Sequence, residues 1–144
     1  MQINPYLSFD GRCEEAFTFY AHCLGGEVGA IFRYAGTPFA DQVPTDWQDK
    51  VMHGSVTIGG QVFMGADVAP GGYEPPKGFS LSLQLKNRTE AERIFRELST
   101  NGRIVVALDQ TFWADRFGML IDRFGTPWMI NCEGSGADLI DPVS

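Results

Sequence analysis

The sequence predicts an α+β fold of two tandem βαβββ modules, forming a curved, mostly antiparallel sheet with helices on its outer face. The first observation behind this prediction is an internal repeat, in which the segment Leu7 to Phe19 recurs as Leu83 to Phe95. The offset is 76 residues throughout and continues to Gly26 and Gly102. The second observation is that both halves show the same order of strand-like and helix-like segments. A unit written twice buries an apolar face that neither copy buries alone, so we expect one domain over residues 1–144.

The first module is predicted over residues 1–68. Polar and apolar residues alternate from Asn4 to Phe9, which predicts a half-buried strand. A helix is predicted from about Cys13 to Leu24, ended by Gly25-Gly26. The buried stripe of this helix is predicted as Ala16, Phe19, Tyr20, Cys23 and Leu24. Three more strands follow, the last two joined by a tight Gly59-Gly60 hairpin: Glu27–Tyr34, Val51–Ile58 and Gln61–Asp67.

The second module is predicted over residues 79–134, after a connector at residues 69–78 that is rich in proline and glycine. Alternation from Phe79 to Leu85 predicts its first strand. Thr89 and Glu92 have the spacing of a capping box, which predicts the start of the second helix. The buried stripe of that helix is predicted as Ala91, Ile94, Phe95 and Leu98. The last three strands are predicted at Arg103–Ala107, Arg116–Asp122 and Pro127–Glu133, and the residues after Gly134 are predicted to be loose.

Composition limits the class of protein. The chain of 144 residues contains 44% apolar and 20% charged residues, which is typical of a globular domain. Its net charge of −7 argues against nucleic acid as a partner, because that binding uses Lys and Arg at phosphates. No apolar stretch approaches the roughly 20 residues that span a bilayer, so we expect no membrane partner. Three widely spaced cysteines, no CxxC pair and no leader predict a cytoplasmic protein.

One face of the sheet in each module is predicted to be polar. Tyr6 and Ser8 alternate with apolar residues in the first strand, and Ser80, Ser82 and Gln84 alternate in the same way in the second module. Because the helices cover the other face, these side chains are expected to line a concave surface between the modules. Such a surface is the usual location of a small-molecule pocket.

Several stretches carry a family resemblance: Pro5–Phe9, Glu15–Tyr20, Leu24–Gly26, Ile58–Gly60, Thr111–Ala114, Phe117–Gly118 and Asp122–Asn131. The last is the most specific, because it combines tryptophan, proline and glycine. With the doubled βαβββ pattern, these stretches resemble the vicinal oxygen chelate superfamily, which includes glyoxalase I, extradiol dioxygenases and bleomycin-resistance proteins. Within it, the chain looks most like the PhnB-like group, which often carries a 3-demethylubiquinone methyltransferase label. The resemblance implies the glyoxalase/bleomycin resistance fold, a cavity between the modules and a homodimer.

The resemblance also implies where a metal would bind. Metalloenzymes of the superfamily place their ligands at positions that fall here on Asn4 or Pro5, Met64, Ser80 and Met129. None of these side chains is an imidazole, a carboxylate or a thiolate, the groups that divalent metals prefer. We therefore expect no metal and no cofactor.

The methyltransferase label draws no support from the residues. Methyl transfer from S-adenosylmethionine usually needs a nucleotide-binding βαβ unit with a Gly-rich loop after its first strand. The Gly25–Gly29 segment instead follows a helix and precedes a strand.

His53 is the candidate catalytic residue, because imidazole titrates near neutral pH and alternation places His53 on the cavity side with Ser55. A structural or solvent-facing histidine is the alternative interpretation. Trp113, just before a strand, fits the cavity mouth as well as the core, and at the mouth its ring would stack on a planar ligand. The predicted ligand-binding residues are Tyr6, Ser8, His53, Ser55, Met64, Ser80, Ser82, Trp113, Met129 and Asn131.

Three functions are compatible with these observations. The first is a metal-free homodimer that binds a small organic molecule between its modules. The second is a lyase, isomerase or dioxygenase of the same superfamily, with or without a metal, that uses His53 and either Asp67 or Glu133. The third is a regulatory or assembly protein, which would require a large exposed apolar patch near Trp47.

Overall fold

The computed structural model describes residues 1–133, and the prediction for the residues after Gly134 lies outside them. The chain divides into two compact units, Met1–Pro75 and Pro76–Ser144, which we call the first and second modules. Each module has the predicted order of one strand, one helix and three strands. The elements are β1 (Tyr6–Phe9), α1 (Cys13–Leu24), β2 (Glu27–Arg33), β3 (Val51–Ile58), β4 (Gln61–Asp67), β5 (Leu81–Leu85), α2 (Arg88–Ser99), β6 (Arg103–Asp109), β7 (Arg116–Ile121) and β8 (Pro127–Cys132).

Each module consists of one helix and one four-stranded mixed sheet, ordered β1-β4-β3-β2 in the first and β5-β8-β7-β6 in the second. The first and last strands of each module pair in parallel, and all other neighbouring strands are antiparallel. The predicted α+β class with mostly antiparallel strands is therefore confirmed. Each helix has 12 residues, and within residues 1–133 no helix is long and apolar enough to cross a membrane.

Strand register confirms the internal repeat. Tyr6 lies opposite Met64 in the first module, and Ser82, which is 76 residues after Tyr6, lies opposite Met129 in the second. Met64 and Met129 are therefore at equivalent positions of the two modules.

The paired glycines of the repeat have a common steric reason. A Cβ atom on Gly26 would overlap the carbonyl oxygen of Thr57, and one on Gly102 would overlap the carbonyl oxygen of Ile121. Each glycine thus allows the chain that leaves a helix to pass close to the neighbouring strand.

The buried face of α1 differs from the prediction by one aromatic ring. Phe17 is fully buried, whereas Phe19 and Leu24, which were predicted to be buried, are partly exposed. The Phe17 ring packs edge-on against Phe9, with ring centroids 5.7 Å apart, and its tip points at the space left by Gly65. A Cβ on Gly65 would lie 2.9 Å from the Phe17 ring tip, so the glycine makes room for this ring.

Helix α2 is capped by a different residue than predicted. Asn87 precedes the helix with an extended backbone, and its Oδ1 accepts the backbone N–H of Glu90 at 2.9 Å. The predicted capping box of Thr89 and Glu92 is therefore wrong, because Thr89 already lies inside the first turn. Asn caps at least as well as Thr, and Asn87 lies two residues after the end of β5. The predicted buried stripe of α2 is confirmed: Ala91, Ile94, Phe95 and Leu98.

A bidentate ion pair fixes the segment that leads into β7. Arg88 Nε and Nη2 donate to the carboxylate oxygens of Asp115 at 2.7 and 2.6 Å. The hydrogen bond from Arg88 lowers the pKa of Asp115, against the opposing effect of desolvation. Asp115 also donates its backbone N–H to Cys132 O at 2.9 Å. The loop carrying Trp113 is thereby tied to both α2 and β8.

Trp47 is buried rather than presented to solvent. Its side chain is 9% exposed and packs beside Gly11, and the Lys50 ammonium lies 6.0 Å from its ring centroid. Trp47 itself is therefore not part of the exposed apolar patch that the assembly-protein alternative requires.

All three cysteines are buried, and none of them forms a disulfide within residues 1–133. Burial raises the pKa of the Cys13 thiol, and the negative charges of Asp67 and Glu14 raise it further. A thiol that stays protonated at neutral pH is a poor nucleophile and a poor metal ligand.

Candidate functional site

Each sheet has one face packed on its helix and one face turned away from the helix, which we call the open face of that module. In β1, Leu7 and Phe9 are buried on the helix side, while Tyr6 and Ser8 are exposed on the open face. The predicted polar parity of this strand is confirmed. Strand pairing and burial place further predicted residues on the open faces: His53, Ser55, Met64, Ser82, Met129 and Asn131.

An aromatic cluster with an imidazole at its centre occupies the open face of the first module. Tyr6 Oη lies 3.1 Å from His53 Nδ1, and the two ring centroids are 5.7 Å apart. Phe32 lies opposite His53 on β2, with ring centroids 6.4 Å apart. Tyr6 and Phe32 are 52% and 53% exposed. Two exposed rings beside an imidazole form a surface on which a planar molecule can stack.

The Tyr6–His53 contact determines what the imidazole can do. When the Tyr6 hydroxyl donates to Nδ1, the neutral imidazole carries its proton on Nε2. Partial burial raises the pKa of Tyr6, and Cys13 adds to this effect, so the phenol keeps its proton at neutral pH. The contact with Tyr6 occupies Nδ1 of His53 and leaves Nε2 as the ring nitrogen available to a ligand.

A second row of residues crosses the same face next to the aromatic cluster. Tyr6, Met64 and Ser55 stand opposite one another on β1, β4 and β3. Gly29 lies beside Ser55, and a Cβ atom there would overlap Ser55 Oγ. The row combines a phenol, a thioether and a hydroxyl, none of which carries a charge at neutral pH.

The open face of the second module carries a chain of side-chain hydrogen bonds. Asn131 Nδ2 donates to Gln84 Oε1 at 2.9 Å, and Gln84 Nε2 donates to Ser82 Oγ at 2.8 Å. Gln84 and Asn131 are direct neighbours on the parallel strands β5 and β8. We call these three residues the amide chain.

Three aromatic rings stand beside the amide chain, and we call them the aromatic shelf: Phe112, Trp113 and Phe117. Phe117 lies opposite Asn131 on β7. The Trp113 ring packs on Phe117 with centroids 5.2 Å apart, and Phe112 packs on Trp113 at 4.8 Å. Trp113 is 47% exposed, so it lies at the surface and not in the core. Trp128, in contrast, is fully buried.

The inner part of both open faces is uncharged, although the chain has a net charge of −7. Within residues 1–133, no Asp, Glu, Lys or Arg lies at an open-face position of β1, β3, β4, β5, β7 or β8. The charged residues that share the parity of these faces are on the edge strands β2 and β6: Glu27, Arg103 and Asp109.

The predicted site residues separate into two groups. Five belong to the first module: Tyr6, Ser8, His53, Ser55 and Met64. Five belong to the second module: Ser80, Ser82, Trp113, Met129 and Asn131. Ser80 lies just before β5, while the others occupy the positions described above.

Sequence reasoning missed three aromatic residues and left one polar residue out of the site. Phe32 and Phe117 are found only through strand register, and the β2–β3 pairing contains irregularities that hide the parity of β2. Phe112 lies in the loop between β6 and β7, where no strand alternation predicts the face that a side chain occupies. Gln84 had a readable signal, since it alternates with the apolar residues of β5.

The positions at which the superfamily places metal ligands do not fit a divalent ion in this chain. Asn4 Nδ2 donates to Val62 O at 3.0 Å, while Met64 and Met129 offer only thioethers. Among residues 1–133, no group of three or more His, Cys, Asp or Glu side chains is placed to hold a metal. An amide, a hydroxyl and two thioethers form a poor donor set for zinc, iron, nickel or manganese.

The two carboxylates considered as partners of His53 lie in different settings. Asp67 is 1% exposed, and its oxygens accept backbone N–H groups of Gly11, Cys13 and Val51 at 2.9 to 3.0 Å. Its role is structural, because both oxygens already have donors. Glu133 is exposed beyond the end of β8, and its backbone N–H donates to Leu85 O at 3.1 Å.

Structural similarity defines the class of protein. A glyoxylase/bleomycin resistance protein/dioxygenase domain from Frankia sp. EAN1pec matches with a TM-score of 0.62 at 10% identity, covering 92% of this chain and 97% of that chain. Likeness at this identity shows the fold alone. The protein has the glyoxalase/bleomycin resistance fold, as predicted.

Its family within that class is shown by sequence. A family model described as 3-demethylubiquinone-9 3-methyltransferase matches residues 1–131, and the chain belongs to this family. It is 37% identical to Protein YjdN of Escherichia coli (strain K12) over 139 residues, which cover 91% of this chain and 95% of that protein.

Two solved structures agree with this assignment. Protein PA1353 from Pseudomonas aeruginosa matches with a TM-score of 0.84 and 43% identity over 94% of this chain and 99% of that chain. A putative 3-demethylubiquinone-9 3-methyltransferase, PhnB protein, from Bacillus cereus matches with a TM-score of 0.79 and 26% identity over 92% and 99%. The predicted PhnB-like grouping is confirmed.

Proposed function

We propose that this protein binds a small organic molecule on the open faces of its modules, without the divalent metal common in its superfamily. The predicted cavity between the modules, a homodimeric state and a cytoplasmic location are parts of the same proposal. The observation that carries it is the contact of His53 with the rings of Tyr6 and Phe32, which are exposed on a face that does not pack on the helix.

The chemistry of this face supports binding of an organic molecule. Ligand sites in proteins are mostly apolar and aromatic, with a few polar groups that orient the ligand. The first module supplies two exposed rings, one imidazole and the Ser55 hydroxyl, and the second supplies amides and rings. Met64 and Met129, at equivalent positions, add flexible thioethers that adapt to irregular apolar shapes.

Methyl transfer is not part of the proposal, although the family description names a methyltransferase. A Gly-rich nucleotide loop connects a strand to the N-terminus of a helix. Gly25 and Gly26 instead follow the C-terminus of α1, where Gly25 has a φ of 73° and closes the helix.

Native mass spectrometry tests this proposal on protein purified without chelators and without a metal-affinity column. We expect a dimer free of stoichiometric divalent metal, and an additional organic mass would identify the ligand. One divalent ion per subunit would contradict the metal-free proposal and would show that the metal ligands lie at other residues.

A second candidate function is an enzyme of the same superfamily in which His53 transfers a proton. The observation that favours it is the 3.1 Å contact between Tyr6 Oη and His53 Nδ1, which orients the imidazole on an exposed face. General acid–base catalysis requires such an oriented imidazole within reach of the substrate.

The chain offers a matched pair of histidine variants for this second candidate. If the mass spectrum identifies a bound compound, its conversion can be followed by mass after incubation with fresh protein. His53→Gln should abolish conversion while leaving binding in place, because glutamine keeps a polar side chain at this position but lacks an imidazole that can transfer a proton. His22→Gln, on the exposed side of α1, should leave conversion unchanged. Equal conversion by both variants would end the enzyme hypothesis.

A further inference from the structure

We propose that the open face of the second module binds an uncharged planar ring whose edge carries a cyclic amide. This inference rests on the proposed function and adds the chemical class of the ligand. In the proposed complex, the ring stacks on the aromatic shelf, and its amide edge pairs with Asn131.

The polarity of the amide chain selects the ligand edge. A carboxamide has two N–H donors and one carbonyl acceptor. Asn131 uses one N–H on Gln84 Oε1, and its own Oδ1 accepts no hydrogen bond from any residue within 1–133. Asn131 therefore offers one acceptor and one donor side by side. A cyclic amide presents the complementary pair, an N–H next to a carbonyl oxygen.

The bonds along the chain couple the orientations of its three members. Gln84 accepts from Asn131 through Oε1 and donates to Ser82 Oγ, so a flip of Asn131 alone would set its oxygen against Gln84 Oε1. In this arrangement the Ser82 hydroxyl accepts from Gln84 and keeps its own proton as a donor. The face thus presents coupled donors and acceptors before any ligand arrives, which lowers the ordering cost of binding.

The size of the face suits a ring system of two fused rings. Gln84, Asn131 and Phe117 form one row across three strands, and Ser82, Met129 and Met119 form the row beside it. Three strands span about 10 Å, and a step of two residues along a strand spans about 7 Å. The shelf continues this area from Phe117 to the exposed ring of Trp113.

The charge of the face selects against anions. The six residues of these two rows are neutral, and an anion placed on them loses hydration without gaining an opposite charge. Asp109 lies opposite Phe117 on the edge strand β6, and its Oδ1 accepts the backbone N–H of Gln110 at 2.8 Å. This carboxylate at the rim disfavours anions most strongly.

Nuclear magnetic resonance of the ¹⁵N-labelled full chain tests the inference with three related probes. These are 2-quinolinone, its N-methyl derivative and the N-methylquinolinium cation. We expect 2-quinolinone to shift the Trp113 indole N–H and the side-chain amide signals of Asn131 and Gln84. The two other tryptophans, Trp47 and Trp128, are buried and serve as internal references. The N-methyl derivative should bind about ten-fold more weakly, which corresponds to one lost hydrogen bond.

Variants separate the two parts of the proposed contact. Trp113→Ala should abolish binding of 2-quinolinone, and Phe39→Ala, which removes an equally exposed ring from the first module, should not affect it. Asn131→Leu should remove the difference between 2-quinolinone and its N-methyl derivative. If that variant does not fold, the comparison of the two probes on the unaltered chain still decides the role of the amide edge.

Three results would overturn the inference while leaving the proposed function in place. They are equal binding of 2-quinolinone and its N-methyl derivative, tighter binding of the quinolinium cation, and shifts confined to Tyr6 and His53. Absence of binding by every probe, together with an organic mass in the native spectrum, would likewise exclude this ligand class. A stoichiometric divalent metal in that spectrum would instead contradict the proposed function itself.

Discussion

Replacing Asp67 with alanine should unfold the first module at markedly lower urea concentrations than are needed for the unaltered chain. Asp67 Oδ1 accepts the backbone N–H groups of Gly11 and Cys13 at 3.0 and 2.9 Å, and Oδ2 accepts that of Val51 at 2.9 Å. The residue is 1% exposed, so water does not replace the lost acceptor without local opening. Each buried N–H left without an acceptor costs about 1–3 kcal/mol.

The position of Asp67 makes the loss larger than that of a surface cap. The residue that precedes α1, Arg12, makes no side-chain cap, so the carboxylate at the end of β4 caps this helix from a distant part of the sequence. A negative charge at a helix N-terminus adds a further favourable term. We expect a loss on the order of 3 kcal/mol or more, a large part of the about 5–15 kcal/mol that stabilises a typical domain.

Two variants control this experiment. Asp10→Ala removes a carboxylate that is exposed just before the same helix, and it should change the unfolding midpoint little. Asp67→Asn keeps one acceptor oxygen but places an amide N–H₂ near a backbone donor, so its stability should fall between the other two. An Asp67→Ala midpoint equal to that of Asp10→Ala would show that the three hydrogen bonds contribute nothing.

Replacing Asp122 with alanine should destabilise the second module by a similar mechanism. Asp122 is 3% exposed; its Oδ1 accepts the backbone N–H groups of Phe124 and Thr126 at 2.8 and 3.0 Å. Its Oδ2 accepts the indole N–H of the fully buried Trp128 at 2.9 Å. The expected loss is on the order of 2 kcal/mol or more, because the hairpin turn and the core tryptophan lose a common acceptor.

The Trp128→Phe variant shows how much of this loss belongs to the indole hydrogen bond. It removes the N–H and part of the ring, but it leaves both backbone hydrogen bonds to Asp122 in place. In a double-mutant cycle, Asp122→Ala should cost less in the Trp128→Phe background than in the unaltered chain. Equal costs in both backgrounds would mean that Asp122 and Trp128 act independently and would contradict this account of the contact.

Much of the fold could be predicted from local patterns. The alternation of β1, the stripe of α2 and the Gly59-Gly60 hairpin each depend on residues a few positions apart, and the structure has them as predicted. Both hairpin glycines have positive φ values, 56° and 79°, as the tight turn requires. The repeat predicted that the two halves share one topology, because similar patterns bury similar faces.

Where local patterns allowed two solutions, only the tertiary structure decided between them. Phe17 and Phe19 both lie near the apolar side of α1, and the space left by Gly65 on β4 selects Phe17 for the core. Asn87 and Thr89 can each cap a helix, and the point at which β5 ends selects Asn87.

The residues of the candidate site also divide into those that local patterns predict and those that only tertiary contacts reveal. Tyr6, Ser8, Ser82 and Asn131 were predictable, because alternation along one strand determines which face a side chain occupies. The neighbours Phe32 of His53 and Phe117 of Asn131 were not, because they depend on register between strands. The sequence by itself therefore determined the two modules and the polarity of their faces. Tertiary structure decided which side chains meet, because strand pairing and buried hydrogen bonds join residues that are distant in the chain.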